Sequence, residues 1–267
     1  MELVRRWIAE GTLLRRAWTG AWCVVQGMLL TLRSPSLLRL AVVPVIINVL
    51  LYVAFGYGAW QLLGPAHAWL FPGPAPDAWY AFLWTASRAA AWLILAAVLF
   101  LTALMLVALV GSILAAPVLD AISARAEKIL TGREPPAGPG VVDAVMRALR
   151  GQLTLLLMYA VSLAFGALAY LVPVVGSLLG PLVQASVTLS FLCVQFLEWP
   201  AERRLMGPRE RMALVRRHKA VSAGFGLAAW LMMILPFTMP FLATGGTLLF
   251  LSLNPHSSVV TGGARST

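Results

Sequence analysis

The heptapeptide at residues 33–39, Arg-Ser-Pro-Ser-Leu-Leu-Arg, has the composition of an anion site at a helix start. Ser34 is a good N-cap and Pro35 is favoured at the first helical position, so a helix should begin here. Free backbone N–H groups would then lie at the positive end of the helix dipole, where anions bind. Arg39, one turn later, would add a charged donor. The predicted anion-binding residues are Ser34, Ser36, Leu37, Leu38 and Arg39.

The same heptapeptide has a second interpretation that needs no ligand. Ser34 and Pro35 would then only start a helix. Arg33 and Arg39 would extend to lipid phosphate groups, as basic side chains near the cytoplasmic ends of membrane helices commonly do. The residue types alone leave both interpretations open.

A second charged group, Asp120, Arg125 and Glu127, follows a long apolar segment. On one helix these side chains would share a face, and they could form a gate at the inner mouth of a permeation path. They could equally be the solvated end of a membrane helix.

Other chemistry is missing from the sequence. There is no His-Glu-x-x-His, no Gly-x-Ser-x-Gly and no ATP-binding Gly-x-x-x-x-Gly-Lys-Ser/Thr motif. His67, His218 and His256 lie in separate segments, and the two cysteines lie in apolar sequence, so no metal-ligand spacing is present. The apolar segments contain no Asp or Glu, which excludes an acidic proton relay. We predict that the protein is not an enzyme and needs no metal or cofactor.

The composition indicates a membrane protein. Of 267 residues, 60% are apolar and 11% are charged, whereas soluble domains have roughly 25% charged residues. The net charge of +10 could indicate a nucleic-acid partner. However, the Lys and Arg residues lie between the apolar segments, which is the positive-inside pattern of membrane proteins. The predicted surroundings are therefore lipids and no nucleic acid. The basic segment 203–219 could fix topology, hold anionic lipid or attract an anionic solute.

Four apolar segments must position the candidate residues. Segments 40–63 and 89–119 can each cross a ~30 Å bilayer core. The second is long enough that it must tilt strongly, bend or project beyond the bilayer, and Gly111 is the natural place for a bend. Segments 151–197 and 220–264 contain internal prolines and predict helical hairpins, the last with arms too short to cross. The predicted fold is an all-α integral membrane protein with two long transmembrane helices plus two proline-hinged helical hairpins that enter the bilayer partially.

The predicted organisation has three parts. Residues 1–39 form an interfacial amphipathic region, residues 40–253 a single membrane domain, and residues 254–267 a flexible tail. Placing both termini in the cytoplasm puts every Lys and Arg except Arg88 on the inside. The expected location is the bacterial inner membrane, with several crossings.

Several separated segments have the order and spacing of one known family. They are 35–39 leading into Val-Val-Pro-Val-Ile-Ile-Asn at 42–48, Ala-Ala-Pro-Val-Leu-Asp at 115–120 with Glu127 and Gly132, Val-Pro-Val-Val-Gly at 172–176, Glu-Trp-Pro at 198–200, and Gly-Phe-Gly at 224–226 with Pro236 and Pro240. Over residues 20–253 the chain resembles the CysZ-like family of bacterial inner-membrane proteins, related to the eukaryotic etoposide-induced proteins.

The resemblance implies a helical fold with two long transmembrane helices and two hairpins that dip into the bilayer, assembled as an oligomer. Its best known members are sulfate permeases. In them a Gly-Leu-Arg triplet, often with a second Arg, occupies the helix start that here reads 36–39, Ser-Leu-Leu-Arg. The chain departs from this pattern at Leu38, where one cationic group of the implied sulfate site is replaced. It also has Val118 where the family has Phe.

Two functional hypotheses follow. The first is a permease or channel-like facilitator for a small inorganic anion, with sulfate as the first candidate and no energy coupling of its own. The second is a membrane scaffold or lipid-interacting protein of the same fold that transports nothing.

Overall fold

The computed structural model describes Val4, Trp7, Ile8 and residues 11–70, 81–136, 141–168, 175–235 and 237–254. Within these residues the chain is helical and contains no strand, so the prediction of an all-helical membrane fold is confirmed. The helices are α1 (Leu13–Arg33), α2 (Pro35–Leu70), α3 (Ala81–Thr131), α4 (Val141–Leu168), α5 (Val175–Phe196), α6 (Glu198–Glu202), α7 (Pro208–Arg217), α8 (Lys219–Met232) and α9 (Met239–Leu253). The predicted tail, 254–267, lies almost wholly outside the described residues.

Three helical segments are long and apolar enough to cross a membrane among the residues described. They are Pro35–Leu70, Ala81–Val107 within α3, and Leu179–Phe196 within α5. The first two belong to the predicted long helices. The third belongs to the first predicted hairpin, so by length and composition one arm of this hairpin could cross the bilayer.

Prolines and glycines interrupt these helices less than the sequence suggested. The bend expected at Gly111 corresponds to no break, because α3 continues through both Gly111 and Pro117. A Cβ at position 111 would lie 2.6 Å from Oδ1 of Asn48. Gly111 therefore allows α2 to approach closely. Similarly, α5 runs through Pro181, and the predicted link of this hairpin falls largely on residues outside the described ranges.

The second predicted hairpin has short arms, as its prolines indicated. Helix α8 has 14 residues and α9 has 15, about 21 and 22 Å at 1.5 Å per residue, which is less than a ~30 Å hydrocarbon core. Between them Phe237 has a φ of 69°, the left-handed conformation of a tight reversal.

The chain divides into two compact units, residues 42–118 and residues 1–41 with 119–267. In the first unit, α2 and α3 meet at Asn48 and Gly111, and His67 Nε2 lies 3.2 Å from the Arg88 carbonyl oxygen. In the second unit, α1 packs against both α8 and α9, and α5 packs against α8. Its core contains the fully buried side chains of Phe196, Phe225 and Phe250.

Small residues allow α1 to lie in this core. Gly20 and Gly224 bring the backbones of α1 and α8 together, and Gly27 faces Gly245 of α9. Nearby, the Thr31 hydroxyl lies 2.9 Å from that of Thr244, linking α1 to α9. The opposite side of α1 is exposed and includes Leu14, Trp18 and Val25. One face of α1 thus packs against the hairpin helices and the other is apolar and uncovered.

Candidate anion site and buried charge networks

Helix α2 begins at Pro35, as predicted, and Ser34 alone links it to α1. The backbone N–H groups expected to be free here are those of Ser36, Leu37 and Leu38, and for two of them the expectation is wrong. Leu37 and Leu38 both donate their N–H groups to the Ser34 carbonyl, at 3.0 and 2.9 Å. Leu38 is the fourth residue of the helix, and its N–H group makes the first regular intrahelical hydrogen bond. Leu37 is the third residue, and its N–H group bonds to the same carbonyl because the first turn is tight. Of the predicted backbone donors, only that of Ser36 has no hydrogen bond within the described chain.

The side chains of this segment point in different directions. Leu37 is fully buried in the core, whereas Leu38 is 40% exposed. Arg39 is exposed, and Ser36 is half-buried. Of the five predicted residues only Leu37 is therefore inaccessible to a ligand through its side chain, because Ser34 is half-buried like Ser36.

Ser36 lines a groove of about 420 Å³ that we name the Arg125 groove. Its other polar residues are Arg125, Lys128 and Glu134, and its remaining wall is apolar, formed by Leu40, Ala121, Ala124 and Pro135. Lys128 and Glu134 form an ion pair. Arg125 is exposed and forms no ion pair with any residue that the structure describes. The groove thus has two positive side chains and one negative one.

Asp120 and Glu127 face away from this groove and meet two arginines from the end of α6. Arg203 pairs with the Asp120 carboxylate, donates to the Ser123 hydroxyl at 2.8 Å, and lies 3.2 Å from Glu127 Oε2. Arg204 binds both Glu127 oxygens and the Pro200 carbonyl. Glu127 is 3% exposed and Arg203 6%. Two carboxylates and two guanidinium groups give this network no net charge.

The structure therefore separates the three predicted gate residues. Asp120 and Glu127, seven residues apart, lie on one face of α3 and meet at Arg203, while Arg125 lines the groove. A gate at these positions stays a prediction. Sequence reasoning missed Arg203 and Arg204 as partners, because it treated 203–219 only as a basic segment. A buried carboxylate needs a cationic partner, and this requirement could have pointed to the basic segment as the source of one.

A second network surrounds Arg211 of α7. Its guanidinium lies 3.6 Å from Glu198 and 3.2 Å from Glu202, and its Nε donates to the Met206 carbonyl at 3.1 Å. Burial raises the pKa of Glu198 to about 7; the neighbouring Glu202 charge adds to this effect, and Arg211 opposes it. The single positive charge of Arg211 thus faces two carboxylates, and protonation of Glu198 can neutralise the second negative charge.

This raised pKa predicts that stability falls as the pH rises from about 4.5 to about 7. Below that range Glu198 is protonated in both states. Within it the unfolded chain ionises more readily than the folded protein, so unfolding is favoured, and above it the loss is complete. We expect Glu198→Gln, which mimics the protonated form, to flatten the dependence of the unfolding midpoint in detergent between pH 5 and 8. Glu134→Gln, at an exposed carboxylate, is the control. If the unfolding midpoint of Glu198→Gln depends on pH as that of the wild type does, the raised pKa of Glu198 is contradicted.

Comparison with known proteins agrees with the resemblance inferred from the sequence. The family model described as sulfate transporter CysZ/etoposide-induced protein 2.4 matches residues 23–243, which include the start of α2, the charge networks, the first hairpin and the second hairpin as far as the first turn of α9. The sulfate transporter CysZ of Pectobacterium atrosepticum is 23% identical over 227 residues, covering 81% of this chain and 78% of the relative. The match extends over most of the chain, and the chain therefore belongs to the sulfate transporter CysZ/etoposide-induced protein 2.4 family.

Proposed function

We propose that the protein is a permease for a small inorganic anion, with sulfate as the preferred solute, in the bacterial inner membrane. The observation that carries the proposal is the family match over residues 23–243, which relates the chain to sulfate transporters. The absence of an ATP-binding motif from the sequence agrees with a facilitator that has no energy source of its own.

The proposed anion site is the start of α2, with Ser34, Ser36, Leu37, Leu38 and Arg39. The N–H group of Ser36 and the guanidinium of Arg39 are its main donors. Ser34 caps the helix start, and Leu37 anchors the first turn in the core. A doubly charged anion leaves water only if several donors replace its hydration shell. Because Leu38 is 40% exposed, an arginine introduced there could reach such an anion.

We expect Arg39→Ala to weaken sulfate binding by about ten- to a hundredfold, the loss of one charge-assisted hydrogen bond. Leu38→Arg, which restores the family's triplet more closely, should strengthen binding. Isothermal titration of the purified protein with sulfate, together with sulfate uptake into proteoliposomes, measures both effects. Arg209→Ala, at an exposed arginine of α7, is the matched control.

The alternative function is a membrane scaffold or lipid-interacting protein, favoured by the exposed apolar side of α1 with Leu14, Trp18 and Val25. The two functions differ in their sulfate response. If neither the wild type nor Leu38→Arg binds or transports sulfate, the permease proposal fails and the scaffold becomes the better conclusion.

The charge distribution supports cytoplasmic termini and cytoplasmic links before and after the hairpins. We expect Gly207→Cys, where a side chain meets no atom within 4 Å, to resist an impermeant thiol reagent added to intact cells. Gly64→Cys, also unobstructed and at the predicted outer end of α2, should react. The natural Cys23 and Cys193 are fully buried and should give little background. The opposite labelling pattern would reverse the proposed orientation.

We further propose that α8 and α9 form a re-entrant hairpin and that several copies of the chain assemble. The short arms support the first proposal, because neither crosses the bilayer core alone. The second is supported by the described residues, which contain only three segments able to cross the bilayer, too few to surround a polar path in one copy. Irregular backbone at membrane depth must also be covered by protein.

A further inference from the structure

We infer that the Arg125 groove binds a tetrahedral oxyanion, with Arg125 as its principal cation, Ser36 as a second donor, and Glu134 as a resident negative charge that competes for Lys128. For sulfate as the ligand, the inference rests on the proposed function. It assigns side chains beyond the start of α2 to anion binding.

The groove has the size and composition of a binding site. Its volume of about 420 Å³ falls within the roughly 300–1,000 Å³ of small-molecule sites. The polar side chains come from two regions of the sequence: Ser36 from the first turn of α2, and Arg125, Lys128 and Glu134 from the end of α3 and the segment after it. Both regions belong to the same compact unit, so the unit itself holds the side chains together.

Arg125 is the strongest single indication of a ligand. Arg203, Arg204 and Arg211 of this unit are all paired with carboxylates, whereas Arg125, like the exposed Arg39, forms no ion pair with any residue described. Arg125 lies on the same helix as Asp120 and Glu127 but turns away from both, toward the groove. A planar guanidinium suits bidentate binding of sulfate or phosphate oxygens. The Ser36 hydroxyl forms no hydrogen bond with any residue described, so it too can donate to an oxyanion.

The cations of the groove differ in what they can offer to a ligand. Arg125 supplies a cation from α3 on the side where Ser36 is accessible. Lys128 contributes less because Glu134 neutralises it. Removing Glu134 should therefore increase anion affinity, an effect that a purely structural role for the ion pair does not produce.

Two sources can provide a tetrahedral oxyanion here: free sulfate, or the phosphate of an anionic lipid headgroup. The test titrates sulfate into the detergent-purified protein and, separately, measures phosphatidylglycerol against phosphatidylcholine retained by the protein in native mass spectrometry. The variants are Arg125→Gln, Glu134→Gln and the matched control Arg209→Gln. Thermal unfolding checks that each variant is folded.

For sulfate, we expect Arg125→Gln to weaken binding by about tenfold or more, Glu134→Gln to strengthen it, and Arg209→Gln to leave it unchanged. If the wild type binds no sulfate but Arg125→Gln loses phosphatidylglycerol selectively, the groove is an oxyanion site for lipid, and the permease proposal is decided separately by Leu38→Arg and the uptake assay. If the wild type binds sulfate, and Arg125→Gln binds sulfate and retains phosphatidylglycerol as well as the control Arg209→Gln does, the groove inference is overturned and the permease proposal stands. If neither ligand responds to any groove variant, the inference is likewise overturned.

Discussion

Glu127→Ala is expected to destabilise the protein by about 3–5 kcal/mol, the cost of removing one partner from a buried ion pair. Glu127 is 3% exposed and accepts hydrogen bonds from both Arg203 and Arg204. Without it, two guanidinium groups would remain largely buried beside the single carboxylate of Asp120. An uncompensated buried charge costs more than the pair itself contributes, so the loss should be comparable with that of a large core truncation.

Two other substitutions on α3 show how much of this loss in stability comes from the burial of the charge. The Asp120 side chain is 49% exposed, so water can solvate the Arg203 face that Asp120→Asn uncovers, and we expect a much smaller loss. Arg125→Ala, at an exposed position without an ion pair, should change the unfolding free energy by about 0.5 kcal/mol or less. Denaturant unfolding of the three purified variants measures the order. If Glu127→Ala and Arg125→Ala unfold alike, the network is not buried as described.

The parts of the fold that could be predicted from the sequence depend on local signals. Pro35 after Ser34 marks the start of α2, and Pro240 lies in the first turn of α9, the second short arm of the last hairpin. Such signals act within a few residues, through the fixed φ of proline and its missing N–H. They do not by themselves end a helix, since α3 continues through Gly111 and Pro117.

Contacts between distant residues could not be predicted in this way. Glu127 and Arg203 are 76 positions apart in the sequence. The hydropathy pattern shows only that each lies in a polar segment between apolar ones. The same limit applies to α1, whose amphipathic pattern indicates one apolar face but not what covers it. In the structure Thr19, Gly20 and Gly27 face α8 and α9.

The proposed anion site contains both a prediction that holds and one that does not. Residue types placed the helix start correctly, because N-cap and first-turn preferences are local. They overestimated the free donors, because the Ser34 carbonyl accepts from both Leu37 and Leu38. They also gave no reason to connect Ser36 with Arg125, since only the packing of α2 against the end of α3 forms the groove.

Gly224→Ala should be the second large effect, a loss of about 3 kcal/mol in unfolding free energy, at the upper end for an added core methyl group. A Cβ at position 224 would collide with the backbone carbonyl of Ala17, and one at Gly20 would collide with that of Val221. The obstacle is backbone on both sides of the α1–α8 contact. No change of side-chain rotamer relieves it, so the helices themselves must separate.

Gly56→Ala provides the matched control, because Gly56 is also helical but a Cβ there meets nothing within 4 Å. Both substitutions gain the roughly 1 kcal/mol by which alanine exceeds glycine in a helix, so their difference isolates the collision. We expect Gly56→Ala to be neutral or slightly stabilising in denaturant unfolding, while Gly224→Ala separates α1 from α8 and exposes Phe225 beside it. Equal stability of the two variants would show that α1 and α8 do not touch through their backbones, and α1 would then be free to lie at the membrane surface alone.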